Sequence, residues 1–280
     1  MKPIPEIDAL EIYEKVHEEL INLLRNLDTQ EWETLTWNDN WQVRDVVAHL
    51  LDGDLRRLSL HRDGMAPPQP KQAVTDHASL VYFLNDLNKT WIEASKRLSA
   101  NVLLQLTEFV HPKVIDFFKK LDPEGTAQFP VSWAGEQTST NRFDIAREYT
   151  EKWYHQQQIR EAVNRPLLTQ EQWLHPLLHT LIKAVPAVYE KHASDKKESK
   201  ILIRITGKFS YTWLLTEKNG RWQLFQPEGE TPDTSIRMEA DTAWRLFSNN
   251  ISEEEALKKT DVTGDHSLGA IISKTTSYMK

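Results

Sequence analysis

Apolar residues recur at helical spacing early in the chain. Ile7, Leu10, Tyr13, Val16, Leu20, Leu23, Leu24 and Leu27 lie mostly three or four apart, which predicts a helix over 7–27. The turn-rich TWNDNW (36–41) interrupts the pattern. Val43, Val46, Val47, Leu50, Leu51, Leu55 and Leu58 then predict a second helix from about Gln42 to His61. Residues 63–72 contain Gly64, Pro67, Pro68 and Pro70 and predict a loop. A third helix is expected over 77–99, carried by Leu80, Phe83, Leu84, Leu87, Trp91 and Leu98. A shorter one is expected over 102–109, with another near 112–120. Residues 122–140 read as a loop. A long helix covers 141–163 and stops at Asn164-Arg165-Pro166, where proline blocks continuation. One more helix is expected over 170–192, with Pro176 and Pro186 as points of kinking or division.

Beyond the polar segment SDKKESK (194–200) the period changes from helical to alternating. KILIRIT (200–206) and TSIRMEAD (234–241) read as strands. FSYTWLLTE and RWQLFQP flank Asn219-Gly220, a strong hairpin signal. Helices are expected at 241–249, 252–258 and 266–278. The pattern predicts two domains, an all-α bundle over 1–193 and a small α+β domain over 200–280. A length of 280 residues agrees, since single cores rarely grow past about 250–300 residues.

Composition narrows the function classes. Apolar residues make up 39 % and charged residues 27 %, as in an ordinary globular protein. A formal charge of −7 without a dense Lys/Arg cluster argues against nucleic acid as a partner. No apolar run approaches the roughly 20 residues that cross a bilayer, and the first residues do not read as a signal peptide. The expectation is a cytoplasmic protein with no membrane partner, a monomer or a homodimer. The chain has no cysteine, so any thiol chemistry must use a thiol brought from outside.

Candidate chemistry sits on two helices. His49 lies in the apolar run VVAHLL, where it must be either a hydrogen-bonded core histidine or a ligand. Asp45 and Arg56 lie near the same helical line. In EYTEKWYHQQQ, Glu151 and His155 are four apart and share a face. That pair is either a surface ion pair or two donors to one divalent ion of the zinc type. Glu148, one turn earlier, is a rival ligand or an acceptor behind the ligands. Asp45 is a candidate to orient His49, and Arg56 or Arg57 to attract an anion. His111, His175, His179 and His266 are possible additional ligands. Trp37, Trp41, Trp133 and Trp153 stand beside polar clusters and serve either core or pocket.

The stretch WQVRDVVAHL (41–50) closely resembles the N-terminal signature of the mycothiol-dependent maleylpyruvate isomerase family, a branch of the DinB-like four-helix metal-binding bundles. EKWYH (151–155) resembles the family's later Glu and His. The part containing VTGDHSL (262–268) resembles the sterol-carrier-like domain that often follows the bundle. The resemblance implies a divalent metal, zinc, on His49, Glu151 and His155, with one coordination position open. It also implies a mycothiol-like low-molecular-weight thiol and an activity as isomerase or S-transferase on a small molecule, with Arg56 as a substrate or thiol contact. The alternatives are a metal-activated-water hydrolase or lyase and a non-enzymatic metal or small-molecule binder. Two positions depart from the pattern. Gln42 replaces a capping Ser or Thr, so the capping interaction is either lost or moved to Asn40. Gln158 stands where many members carry Asp.

Overall fold

In the computed structural model, residues 1–37, 41–196 and 198–277 are described, except for the side chain of His77; Asn40 lies outside them. The chain forms two compact units. One comprises Ala9–Gln128 and Glu148–Leu168, and the other Met1–Asp8, Phe129–Arg147 and Thr169–Lys280. The expected division into 1–193 and 200–280 is linear, and the observed one is interleaved. The physical reason is one 22-residue helix whose residues count in both units. Hydrophobic periodicity reports that helix but not which core each end serves.

The helical unit is built from α1 (Leu10–Arg25), α2 (Thr29–Trp32), α3 (Val43–Arg56), α4 (His77–Ser95), α5 (Ala100–Phe118) and the part of α6 (Asn141–Ala162) from Glu148 onward. Tyr13, Val16, Leu20 and Leu24 of α1 and Val43, Val46, Val47 and Leu51 of α3 are fully or almost fully buried. α3 packs on α4 and α5, and α1 on α5. The N-terminus of α3 is closed from inside. Asp45 Oδ2 accepts the Gln42 N–H at 3.0 Å, which supplies a cap where no Ser or Thr stands. The single helix expected to His61 is α-helical only to Arg56 and continues as a wider π-type turn over Arg57–Arg62. The two stretches expected at 102–109 and 112–120 are one helix, with Pro112 inside it.

α6 is unusual in burying amides. Gln156, Gln157 and Gln158 are almost wholly buried. Each finds a partner, as burial requires. Gln156 donates to Val16 O, Gln157 accepts from Leu168 N, and Gln158 donates to Thr36 Oγ1.

The other unit holds α7 (Glu171–Leu181) and α8 (Val185–His192), separated by a 3-10 turn over Ile182–Ala184. The expected helix over 170–192 is therefore divided. Pro186 falls in the first turn of α8, where a missing N–H costs nothing, and Pro176 lies within α7 without ending it. Among the described residues six strands form one sheet: β1 (Lys2–Pro3), β2 (Lys200–Thr206), β3 (Tyr211–Lys218), β4 (Arg221–Gln226), β5 (Thr234–Glu239) and β6 (Thr260–Gly264). Their order is β1-β4-β3-β2-β5-β6, with β2 and β5 parallel and the other pairs antiparallel. The hairpin between β3 and β4 turns at Asn219 and Gly220, both at positive φ. Ile201, Ile203, Ile205, Ile236 and Met238 face the core. α9 (Ala240–Phe247), α10 (Glu253–Lys258) and α11 (His266–Ala270) complete the unit; α11 is shorter than the helix expected over 266–278 and gives way to a 3-10 turn. Among the described residues no helix is long and apolar enough to cross a membrane.

Candidate metal centre

His49 comes from the middle of α3, and Glu151 and His155 from successive turns of α6. Their ligand-capable atoms all lie within 4.8 Å of one another. His155 Nε2 is 3.4 Å from Glu151 Oε2, and the His49 and His155 rings meet edge to face with centroids 4.7 Å apart. His49 Nδ1 is buried and has no hydrogen-bond partner among the described residues. A buried nitrogen left unpaired costs free energy unless something occupies it, so the donor set fits a cation better than a purely structural histidine. Burial, followed by the neighbouring His155 and Arg56, pushes His49 well below the ordinary histidine range, against a hydrogen bond with Asn88. The ring is thus neutral, as a metal ligand must be.

A chain of hydrogen bonds sets the tautomer of His155. The Thr36 hydroxyl donates to Trp41 O at 2.9 Å and so accepts from Gln158 Nε2 at 2.8 Å. The amide orientation is then fixed, and Gln158 Oε1 faces His155 Nδ1 at 2.9 Å. Nδ1 must donate, so Nε2, on the side of Glu151, is the nitrogen the ring would offer a metal. Gln158, read from sequence only as a departure, is the residue that aims His155. Thr36, a turn residue 122 positions away, gave no signal.

Aromatic rings wall the group. Trp41 lies 5.1 Å from His49 and 6.4 Å from His155, Tyr154 lies 5.1 Å from His155, and Trp37 packs on Tyr154 at 5.7 Å. Trp153 Nε1 donates to Leu168 O at 3.1 Å, and Trp133 meets Phe143 edge to face.

The other candidates separate. Arg56 is partly exposed and ion-paired with Asp52 at 2.9 Å. Arg57 is 5 % exposed and binds Glu148 at 2.5 Å, so neither Arg57 as an anion contact nor Glu148 as a ligand keeps its expected part. Asp45 caps α3 rather than orienting His49. His175 and His179 have ring centroids 5.7 Å apart, but His179 Nε2 binds Pro5 O, and no third metal-type donor joins them among the described residues. His111 belongs to a different buried cluster with His17 and Asp54. His266 is an exposed residue at the start of α11.

Residues 13–160 match the family described as "Mycothiol maleylpyruvate isomerase N-terminal domain". A solved structure of a mycothiol-dependent maleylpyruvate isomerase bearing a histidine-to-alanine substitution aligns over 87 % of this chain and 88 % of its own, at TM-score 0.53 and 11 % identity. The unsubstituted enzyme aligns over the same shares at 0.50 and 12 %. At those identities the likeness concerns the fold: a helical part plus a six-stranded sheet region. A sterol carrier protein domain from Helicoverpa armigera covers 35 % of the chain at TM-score 0.29, too low to bear on the fold. No curated protein sequence matches the chain.

Proposed function

The chain belongs to the mycothiol maleylpyruvate isomerase N-terminal domain family, whose match spans more than half of its length, and from that premise we propose that it is a metal- and thiol-dependent isomerase or S-transferase acting on a small electrophile. The observation that carries this reading is the convergence of His49, Glu151 and His155 around an unpartnered buried nitrogen. These three residues would hold a divalent ion, zinc by the chemistry of the donors, with a coordination position to spare.

An ion held there supplies Lewis acidity toward a thiol sulfur and so favours its nucleophilic form at neutral pH. The protein's own residues do the rest. Gln158 keeps the His155 lone pair aimed, and Trp41, Trp37 and Tyr154 wall the site against water. Arg56, half-neutralised by Asp52, brings positive charge to the side of His49 and suits a carboxylate-bearing substrate or an anionic group on the thiol. With no cysteine in the chain, the thiol comes from solution, which agrees with the mycothiol dependence of the related enzyme.

Within this reading the helical unit is a DinB-like four-helix bundle and the sheet unit is sterol-carrier-like. The inherited modules are 1–193 and 200–280. Their limits differ from the compact units because a module is inherited as contiguous sequence, whereas compactness follows contacts. The hydrolase or lyase alternative draws no support from the family match.

The test pairs metal analysis with kinetics. Protein purified without a histidine tag is expected to carry one divalent ion and to isomerise maleylpyruvate, or to conjugate electrophiles, only with a thiol added. His49→Ala should lose the ion and at least about 100-fold in turnover, since Lewis-acid stabilisation contributes several kcal/mol. Absence of a thiol effect with every electrophile tried would overturn the reading.

A further inference from the structure

A second group of donors lies deeper in the helical unit. His17 of α1, Asp54 of α3 and His111 of α5 have ligand-capable atoms within 4.8 Å of one another, and none of the three is more than 6 % exposed. The arrangement has the residue types and spacing of a divalent-metal site. Its middle, however, is filled. Lys152 Nζ of α6, itself 3 % exposed, lies 3.1 and 3.3 Å from the two Asp54 oxygens, 3.0 Å from His111 Nδ1 and 3.4 Å from His17 Nδ1. Those are hydrogen-bond distances of an ammonium, about 1 Å longer than metal–ligand bonds. The Tyr13 hydroxyl adds a bond to Asp54 at 3.2 Å. The rings of His17 and His111 stack at 3.4 Å, too close for both to carry charge. His111 Nε2 is buried with no partner among the described residues, and the ring meets the cluster through Nδ1.

We propose that His17, Asp54 and His111 form a second metal-type site whose cation is the tethered ammonium of Lys152, and that this lysine is what keeps a second divalent ion out. The charge count supports it. Asp54 and Lys152 cancel, and the two imidazoles are neutral. A dication added beside the ammonium would leave two uncompensated positive charges in the core, whereas removal of the ammonium leaves a buried carboxylate with no counter-charge. The second condition is the one a metal relieves. Glu151 and Lys152 are adjacent on α6, so one helix turns a ligand toward one cluster and a cation toward the other.

The experiment uses zinc as probe and the full chain in a His155→Ala background, which removes the first centre and makes the outcome independent of the function proposed above. His155→Ala alone is expected to bind no zinc tightly. His155→Ala/Lys152→Met is expected to be less stable without metal, to take up one equivalent of zinc and to gain thermal stability with it. Adding His111→Ala should abolish that uptake, and Lys152→Arg, which keeps a cation in place, should show none. Zinc bound in the cluster by His155→Ala alone would overturn the proposal. So would a Lys152→Met double variant that folds but binds no zinc, one that zinc cannot fold, or a Lys152→Arg variant that binds zinc.

Discussion

The His155 ring is oriented by a neutral amide. Gln158 Oε1 accepts from its Nδ1, and Thr36 and the Trp41 carbonyl hold the amide in turn. A carboxylate at that position would push charge onto the ring, whereas an amide only aligns it. Gln158→Leu, close in volume but without polar atoms, is therefore expected to weaken zinc binding by about 10- to 100-fold. Competition with a chromophoric chelator measures this, and affinity within twofold of the parent would remove Gln158 from the site. The run HQQQ shows that amides follow the histidine, but only the fold shows which of them points back at it. Lys152 was harder still to read. A lysine between a glutamate and a tryptophan on a helix is ordinarily a solvated one, and its burial depends on three other helices converging on it.

At the level of elements, alternation and turn residues were legible where a strand is long and buried on one face. KILIRIT and the Asn219-Gly220 hairpin form as read. β6 was missed because it is five residues at the edge of the sheet, mostly exposed and half polar. Its end depends on Gly264, at φ +89°, where an added Cβ would sit 2.1 Å from Asp233 O. Gly264→Ala adds both strain and collision, so a loss of roughly 3 kcal/mol is expected. Urea unfolding checks it, and a change below about 0.5 kcal/mol would show that the edge yields freely. Among the helices, the WQVRDVVAHL and EKWYH segments that carry the candidate ligands were the most legible, because periodicity and donor spacing agree there. Helix breaks were less so. Pro112 does not interrupt α5 and Pro176 does not end α7, whereas the helix over 170–192 divides beside Pro186, one of the two points expected.

For the molecule as a whole, the buried cluster sets the response to acid. Burial, then Lys152, holds His111 down to about 4, against the opposing pull of Asp54 and Glu14. Burial would raise Asp54, but Lys152 and His111 outweigh it and hold it below its ordinary range, and His17 is depressed chiefly by burial. An unfolded histidine gains its proton near 6.5 and folded His111 only near 4, so the unfolded chain binds more protons in that interval. Stability accordingly falls as pH drops through the window, by roughly 3 kcal/mol from this ring. The Asp54 contribution, present above the unfolded carboxylate value, is lost at still lower pH, with the same sign. Urea midpoints measured in chelator, so that release of metal does not intrude, should be steady above pH 7 and decline toward pH 4. A flat profile would show that the cluster does not govern acid stability. The interleaved chain path has a consequence for synthesis. Every residue of the helical unit has been made by Leu168, long before the ribosome reaches Arg221–Gln226, the partner of Lys2–Pro3. Lys2–Pro3 thus waits without its strand partner while the helical unit behind it condenses, and the sheet closes onto it only once Arg221–Gln226 has been made.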